Sequence, residues 1–235
     1  MYTRIFNIIL QALFIICVPL LLITTNVRIV LNSATMYDYG FSKYKIEKYT
    51  GIELEQLQIA GQQIRDYFNN DLDRITINIS LHGDNVPNLF NEREILHMYD
   101  VKQLVKMVYV GQLCSAILLS MGCIFMLFNP STNGWILALK YLGRGGVFTF
   151  SLVIAISILA IIGFDRLFLF FHLVSFSNDL WVLDPRRDYL IAMFPQGFFF
   201  DCTVAIACLT LLEGGILSLL PRVIRLARKK QFRLP

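Results

Sequence analysis

Two of the three histidines in the sequence stand where an apolar run meets a cluster of acidic and aromatic residues. His97 lies in NEREILHMYDVKQ, Asn91 to Gln103, and His172 lies in FLFFHLVSFSNDLWVLDPRRDYLIAMFP, Phe168 to Pro195. An imidazole has a reference pKa of about 6.5, so a pair at one place can divide general-base and general-acid work on one substrate. In a helix, Glu94, His97 and Asp100 follow at three-residue steps and share a face. Asp100 and Asp184 are carboxylates able to fix a tautomer or steady an imidazolium, and Glu94 and Asn178 are polar neighbours in the same two stretches. No serine stands out as a nucleophile, which leaves attack to a group on the substrate. No C-x-x-C or H-E-x-x-H spacing occurs, so no metal site and no cofactor is expected. A histidine at a helix end also serves as an ordinary interfacial residue, so the chemistry depends on both histidines reaching one depth on one side. His82 follows a predicted strand beside a turn and reads as solvated or backbone-bonded.

What must position these groups is a set of membrane helices. The chain has 235 residues, of which 56% are hydrophobic and 16% charged, too apolar a balance for an ordinary soluble domain. Four apolar runs, Ile5 to Leu31, Leu104 to Phe128, Val147 to Phe171 and Phe198 to Val223, are long enough to cross about 30 Å of hydrocarbon. The first is read as an uncleaved anchor, because its apolar core exceeds the roughly 7–15 residues of a signal peptide. Between the first two runs, Asn32 to Gln103, seven Lys and Arg face eleven Asp and Glu, whereas the short second loop carries Lys140 and Arg144 and the tail carries Arg222, Arg225, Arg228, Lys229, Lys230 and Arg233. The positive-inside rule then sets both termini inside, with the first and third loops outside.

The expected fold is an integral membrane, mainly α protein of four transmembrane helices with a small α+β extracytoplasmic cap. Its predicted divisions are helix one (1–31), the cap (32–96), and the remaining three spans with their loops and basic cytoplasmic tail (97–235). The tail suits anionic lipid, and no nucleic-acid-binding pattern accompanies it. All five cysteines fall in the apolar runs, so neither outer loop can hold a disulfide of its own.

Within the cap, Thr50 and Glu53 have the spacing of a capping box, and Leu57, Ala60, Ile64, Tyr67 and Phe68 recur at helical steps. RITINISL, Arg74 to Leu81, alternates apolar and polar residues as a half-buried strand does, and Gly83, Asp84, Asn85 and Pro87 supply a turn. The tyrosine-rich segment Asn32 to Tyr49 suits a position near headgroups. Asn91 to Gln103 leads without a breaker into the second run, which puts His97 about two turns above Leu104. Asn129-Pro130 is expected to stop that run, and Gly143, Gly145 and Gly146 to punctuate the loop after it. In the third run Asp165 and Arg166 form either a structural ion pair or a supporting group for His172. Asp184-Pro185 is expected to open a short interfacial helix, Arg186 to Met193, which Pro195 and Gly197 break. Gly214 and Gly215 beside Glu213 suit close helix packing.

LFNEREILHMYDVK, Leu89 to Lys102, together with FHLVSFSNDLWVLDP and the following RRDYLIAMFPQGFFFD, Phe171 to Asp201, resembles the bacterial lipoprotein intramolecular transacylase family. The resemblance extends in order, topology and length over the whole chain. It implies an acyl shift within a diacylglyceryl lipoprotein, from the glyceryl sn-2 oxygen to the amine of the N-terminal cysteine, giving a lyso form at the outer face of the bacterial membrane. It implies too that His97 and His172 are the catalytic pair. Phe171, Phe176, Trp181, Phe194 and Phe199 would wall the pocket while the lipid tails stay in the bilayer. Which histidine is base and which acid stays open at this point. So do two other readings, a membrane ester hydrolase using the same pair with water, and a non-catalytic lipid- or partner-binding protein.

Overall fold

A computed structural model describes residues 2–81, 83–128 and 133–231. His82, Asn129-Pro130 and Arg233 lie outside the described residues. In chain order the elements are α1 (Tyr2–Asn32), α2 (Ala34–Lys43), α3 (Ile46–Thr50), α4 (Leu54–Phe68), β1 (Ile79–Leu81), β2 (Asp84–Val86), α5 (Glu92–Phe128), α6 (Gly134–Ser175), α7 (Tyr189–Met193) and α8 (Gln196–Gln231). Four helices, α1, α5, α6 and α8, are long and apolar enough to cross a membrane. At about 1.5 Å per residue, the 37 residues of α5 reach roughly 55 Å, so the helix outruns the apolar stretch that hydropathy detects. The structure divides into two compact units, one of residues 1–27, 109–158 and 206–235 and one of residues 28–108 and 159–205.

The first unit is built on close helix packing. Its buried core is Phe14, Cys17, Val18, Leu119, Met126, Ala138 and Tyr141. Here the expectation of a glycine-punctuated loop fails, because Gly143, Gly145 and Gly146 all lie inside α6. A Cβ on Gly146 would sit 2.8 Å from the Gly214 carbonyl oxygen and 2.8 Å from the Ser218 nitrogen, so the absent side chain is what lets α6 meet α8. Packing of this kind substitutes for a hydrophobic drive that lipid cannot supply. Gly146→Ala is therefore expected to destabilise by about 1–3 kcal/mol through overpacking against backbone. Thermal unfolding in detergent reads the effect, and an unchanged midpoint would show that the helices part at no cost. Asn26, 1% exposed, donates from Nδ2 to Thr210 Oγ1 at 3.0 Å and to Glu213 Oε2 at 2.8 Å, tying α1 to α8.

In the second unit α4 buries Leu57, Ala60, Ile64, Tyr67 and Phe68, the stripe its periodicity predicts. Its start differs from expectation. Thr50 closes α3, its hydroxyl donating to Ile46 O at 2.8 Å and accepting from Ile52 N, and Gly51 then takes a left-handed conformation with φ 73. Glu53 is the N-cap residue of α4 and makes no side-chain capping bond, so the predicted capping box is not formed.

Of the predicted strand Arg74 to Leu81, only Ile79–Leu81 is paired, antiparallel to Asp84–Val86. Ile75, Ile77 and Ile79 are buried at every second position, as the alternation requires. What replaces a neighbouring strand is a pair of glutamine side chains on α4. Gln63 on α4 accepts from Asn78 N and donates to Asn78 O, both at 2.8 Å, and Gln56 accepts from Ser80 N at 2.8 Å. These backbone groups are thus satisfied without a third strand.

The tyrosine-rich segment forms α2 and α3 and is only partly interfacial. Tyr39 and Tyr49 are exposed, whereas Tyr37 is buried against Phe41, Phe194 and Phe198. Lys43 Nζ donates to both oxygens of Asp201 and Tyr44 Oη donates to Asp201 Oδ2, which joins α2 to the first turns of α8. That carboxylate holds the Lys43 ammonium well above the usual lysine range. Gly197, expected to break the chain, lies inside α8 and makes room for the Tyr44 ring.

Candidate active site

His97 and His172 both belong to the second unit, and the structure brings them together. His97 sits on the second turn of α5, whose start is fixed by a reciprocal cap: Glu94 N donates to Asn91 Oδ1 at 3.2 Å and Asn91 N donates to Glu94 Oε2 at 2.7 Å. His172 sits on the last turn of α6, beyond Gly163, where φ −166 and ψ 70 interrupt the helical backbone. The two ring centroids are 6.3 Å apart with planes inclined at 29°. Both imidazoles are buried, at 7% and 8% exposure.

Their hydrogen bonding differs. His172 Nδ1 lies 2.7 Å from the Phe168 carbonyl oxygen, which can only accept, so Nδ1 carries the hydrogen and a neutral ring keeps its lone pair at Nε2. His97 Nδ1 is buried without a partner among the described residues. A buried polar atom left unpaired is costly, and at a site it marks where another group can bind.

Aromatic rings close the pair in. Phe176 packs 5.2 Å from His97 and 5.7 Å from His172, Trp181 lies 4.9 Å from His172, and Phe171 meets His172 edge-on at 5.3 Å. Phe199 stands one ring further out, 5.3 Å from Phe168. Phe194 lies apart from the histidines, in the cluster with Tyr37, Phe41 and Phe198.

Among the polar residues picked from sequence, Asp100 and Asn178 are bonded to one another, Asn178 Nδ2 donating to Asp100 Oδ2 at 2.8 Å. Glu94 turns elsewhere. It is 0% exposed, and its second oxygen, Oε1, accepts from Leu190 N at 2.6 Å in the first turn of α7. Asp184 is exposed and shapes a turn, its Oδ1 accepting from Arg186 N at 3.0 Å. The helix expected at Arg186–Met193 is shorter, Tyr189–Met193, and its N-cap is Asp188. Asp165 accepts from Gln196 Nε2 at 3.0 Å instead of pairing with Arg166.

Sequence reading missed four residues here. Phe168 both orients His172 and meets its ring edge-to-face at 4.4 Å, which the i, i+4 spacing could have suggested. Asn91 and Asp188 join the two stretches through Asn91 Nδ2 donating to Asp188 Oδ1 at 2.8 Å. Asn91-x-x-Glu94 is a capping signature in its own right. Arg93, one turn before His97, donates to the carbonyls of Asp179 and Leu180.

Residues 12–199 match the family model described as Lipoprotein intramolecular transacylase Lit. The chain belongs to this family. In fold it is similar to the transacylase Lit from Bacillus cereus solved in meso, with a TM-score of 0.79 at 21% identity over 97% of this chain and 98% of that one. Two further structures of the Bacillus cereus protein, with a histidine replaced by arginine or by alanine, each give a TM-score of 0.75 at 20% identity, over 99% and 98% of this chain and 97% and 98% of theirs. At such identities the likeness concerns the fold shared with that transacylase. An uncharacterized protein of Aquifex aeolicus is 28% identical over 125 residues, and the match spans 53% of this chain and 53% of that protein.

Proposed function

We propose that this chain transfers the sn-2 acyl chain of a diacylated lipoprotein to the α-amine of the lipoprotein's N-terminal cysteine, leaving a lyso form. The observation that carries the reading is the pair of buried imidazoles 6.3 Å apart, one held in a single tautomer by a carbonyl and the other with a free nitrogen. His172, with its lone pair at Nε2, takes the proton of the attacking amine. The amine nitrogen bonds to the ester carbonyl carbon, the bond from that carbon to the glyceryl oxygen breaks, and His97 protonates the departing alkoxide. Like charges at this spacing disfavour each other, so the two rings do not carry charge together, and each handles one proton transfer in turn. Substrate amine and ester belong to one molecule, and a confined aromatic pocket that aligns them supplies the remaining advantage.

Phe171, Phe176 and Trp181 form the rim of that pocket, Phe199 backs it through Phe168, and Phe194 supports it from the neighbouring cluster. Residues 32–96 act as the cap. The excess of Lys and Arg in the 129–146 region and in the tail supports an orientation with both termini cytoplasmic and the histidine pair at the outer interface. The partners are the lipoprotein and the surrounding membrane lipid.

Mass spectrometry of the N-terminal peptide of a diacylated lipoprotein, incubated with and without the protein in liposomes, tests the proposal. The expected product keeps both acyl chains, with one moved onto nitrogen. Release of free fatty acid as the main product would instead make the protein a hydrolase, and an unaltered peptide would leave a binding protein.

A further inference from the structure

We propose that the loop from Phe176 to Trp181 is a strap, pinned to α5 on both sides of His97, that keeps water from the imidazole pair and so commits the acyl group to the amine. The inference rests on the transacylase reading of the same site. Arg93 and Asp100 lie four residues before and three residues after His97, and each holds the loop. The Arg93 guanidinium donates to the carbonyls of Asp179 and Leu180, while Asp100 accepts from the Asn178 side chain. Asn178 also braces the loop from within, its Oδ1 accepting from Leu180 N at 3.0 Å and its carbonyl accepting from Trp181 Nε1 at 2.8 Å.

The consequence is positional. With its backbone fastened at 179 and 180 and its side chain at 178, the loop sets Phe176 against both histidines and Trp181 against His172. Arg93 is itself exposed, and Asp100 partly so, yet the imidazole between them is 7% exposed. Polar clasps at the surface therefore keep an apolar cover over a buried pair.

Water is the competing nucleophile at this carbonyl. With the amine, nitrogen bonds to the carbonyl carbon and the ester C–O bond breaks, the product retaining both acyl chains. With water, the oxygen of water bonds to the same carbon, the same bond breaks, one water proton passes to the base, the alkoxide is protonated by the acid, and free fatty acid leaves. The imidazoles serve both routes equally. Exclusion of water by the strap is what favours the first, a commitment made by the closed site and not by the proton transfers.

The test measures free fatty acid against N-acylated product, per ester consumed, for the wild type, Arg93→Ala, Arg93→Lys and Asp100→Leu in liposomes carrying a diacylated lipoprotein. Arg93→Ala and Asp100→Leu are each expected to raise the ratio about tenfold, and Arg93→Lys, which can still reach one carbonyl, to raise it less. In a Trp135→Phe background, Trp181 is the remaining tryptophan, and acrylamide should quench it more strongly in Arg93→Ala than in the parent. A ratio that stays at the wild-type value overturns the strap, whether turnover is intact or has fallen in proportion. Unchanged quenching overturns it even where a variant proves too unstable to assay for product. Wild-type protein giving no N-acylated product would refute the transacylase reading itself and the strap with it.

Discussion

Replacing either His97 or His172 with alanine is expected to lower formation of the N-acylated lyso product by about 10²–10⁴-fold, the usual contribution of one general acid or base. On the proposed mechanism the amine cannot attack while protonated and the alkoxide cannot leave unprotonated, so each imidazole would be needed for a different proton in one reaction. Residues acting as a unit lose their effect together. The double variant is accordingly expected to be little worse than either single one, where independent contributions would multiply. Folding should survive. Among the described residues the Nδ1 of His97 has no partner to be orphaned, and removing the His172 ring leaves the Phe168 carbonyl still placed within a helix. Quantitative mass spectrometry of the lipoprotein N-terminus, normalised to folded protein, is the check. Normal conversion by either variant would remove that histidine from the mechanism.

Periodicity and hydropathy carried a large part of this structure, and their failures have physical causes. The apolar runs locate α1, α5, α6 and α8 because lipid demands long uninterrupted apolar surface, but they measure where lipid contact ends, not where the helix ends. Hence α5 begins at Glu92 and α6 at Gly134, well outside the runs first marked at Leu104 and Val147. Glycines 143, 145 and 146 look like punctuation to any local rule. Only neighbouring helices, bringing Pro221 against Gly143, Val18 against Gly145, and Gly214 and Ser218 against Gly146, make them packing residues.

The same limit governs the site. The two histidines were visible by type and level, whereas their polar support depends on which carboxylate meets which partner across about ninety residues of chain. Asp184 and Asp188 both sit in a loop beside Pro185. Only Asp188 is buried against Asn91, and it also accepts from Asp184 N at 2.7 Å. Phe194 and Phe168 are likewise indistinguishable by composition. Phe168 lies one helical turn before His172 and packs edge-to-face against it, while Phe194 faces Tyr37.

Glu94 is the residue whose loss should damage the fold most. Its carboxylate is 0% exposed and accepts from Asn91 N at 2.7 Å and Leu190 N at 2.6 Å, so one side chain terminates α5 and anchors the first turn of α7. Alanine removes both bonds and leaves two part-buried N–H groups without their acceptor. At about 1–3 kcal/mol for each unsatisfied group, the expected loss is about 3–4 kcal/mol, a large share of a total stability that is commonly about 5–15 kcal/mol. Glutamine keeps one oxygen for one of the two donors and should lose about half as much. The pair of variants separates support from chemistry. If Glu94 only positions the histidine-bearing turn, product formed per folded molecule in Glu94→Gln stays near wild type while the thermal midpoint in detergent falls. An unchanged midpoint with lost turnover would mean that this carboxylate takes part in the proton transfers, against the geometry, in which both of its oxygens are engaged by backbone.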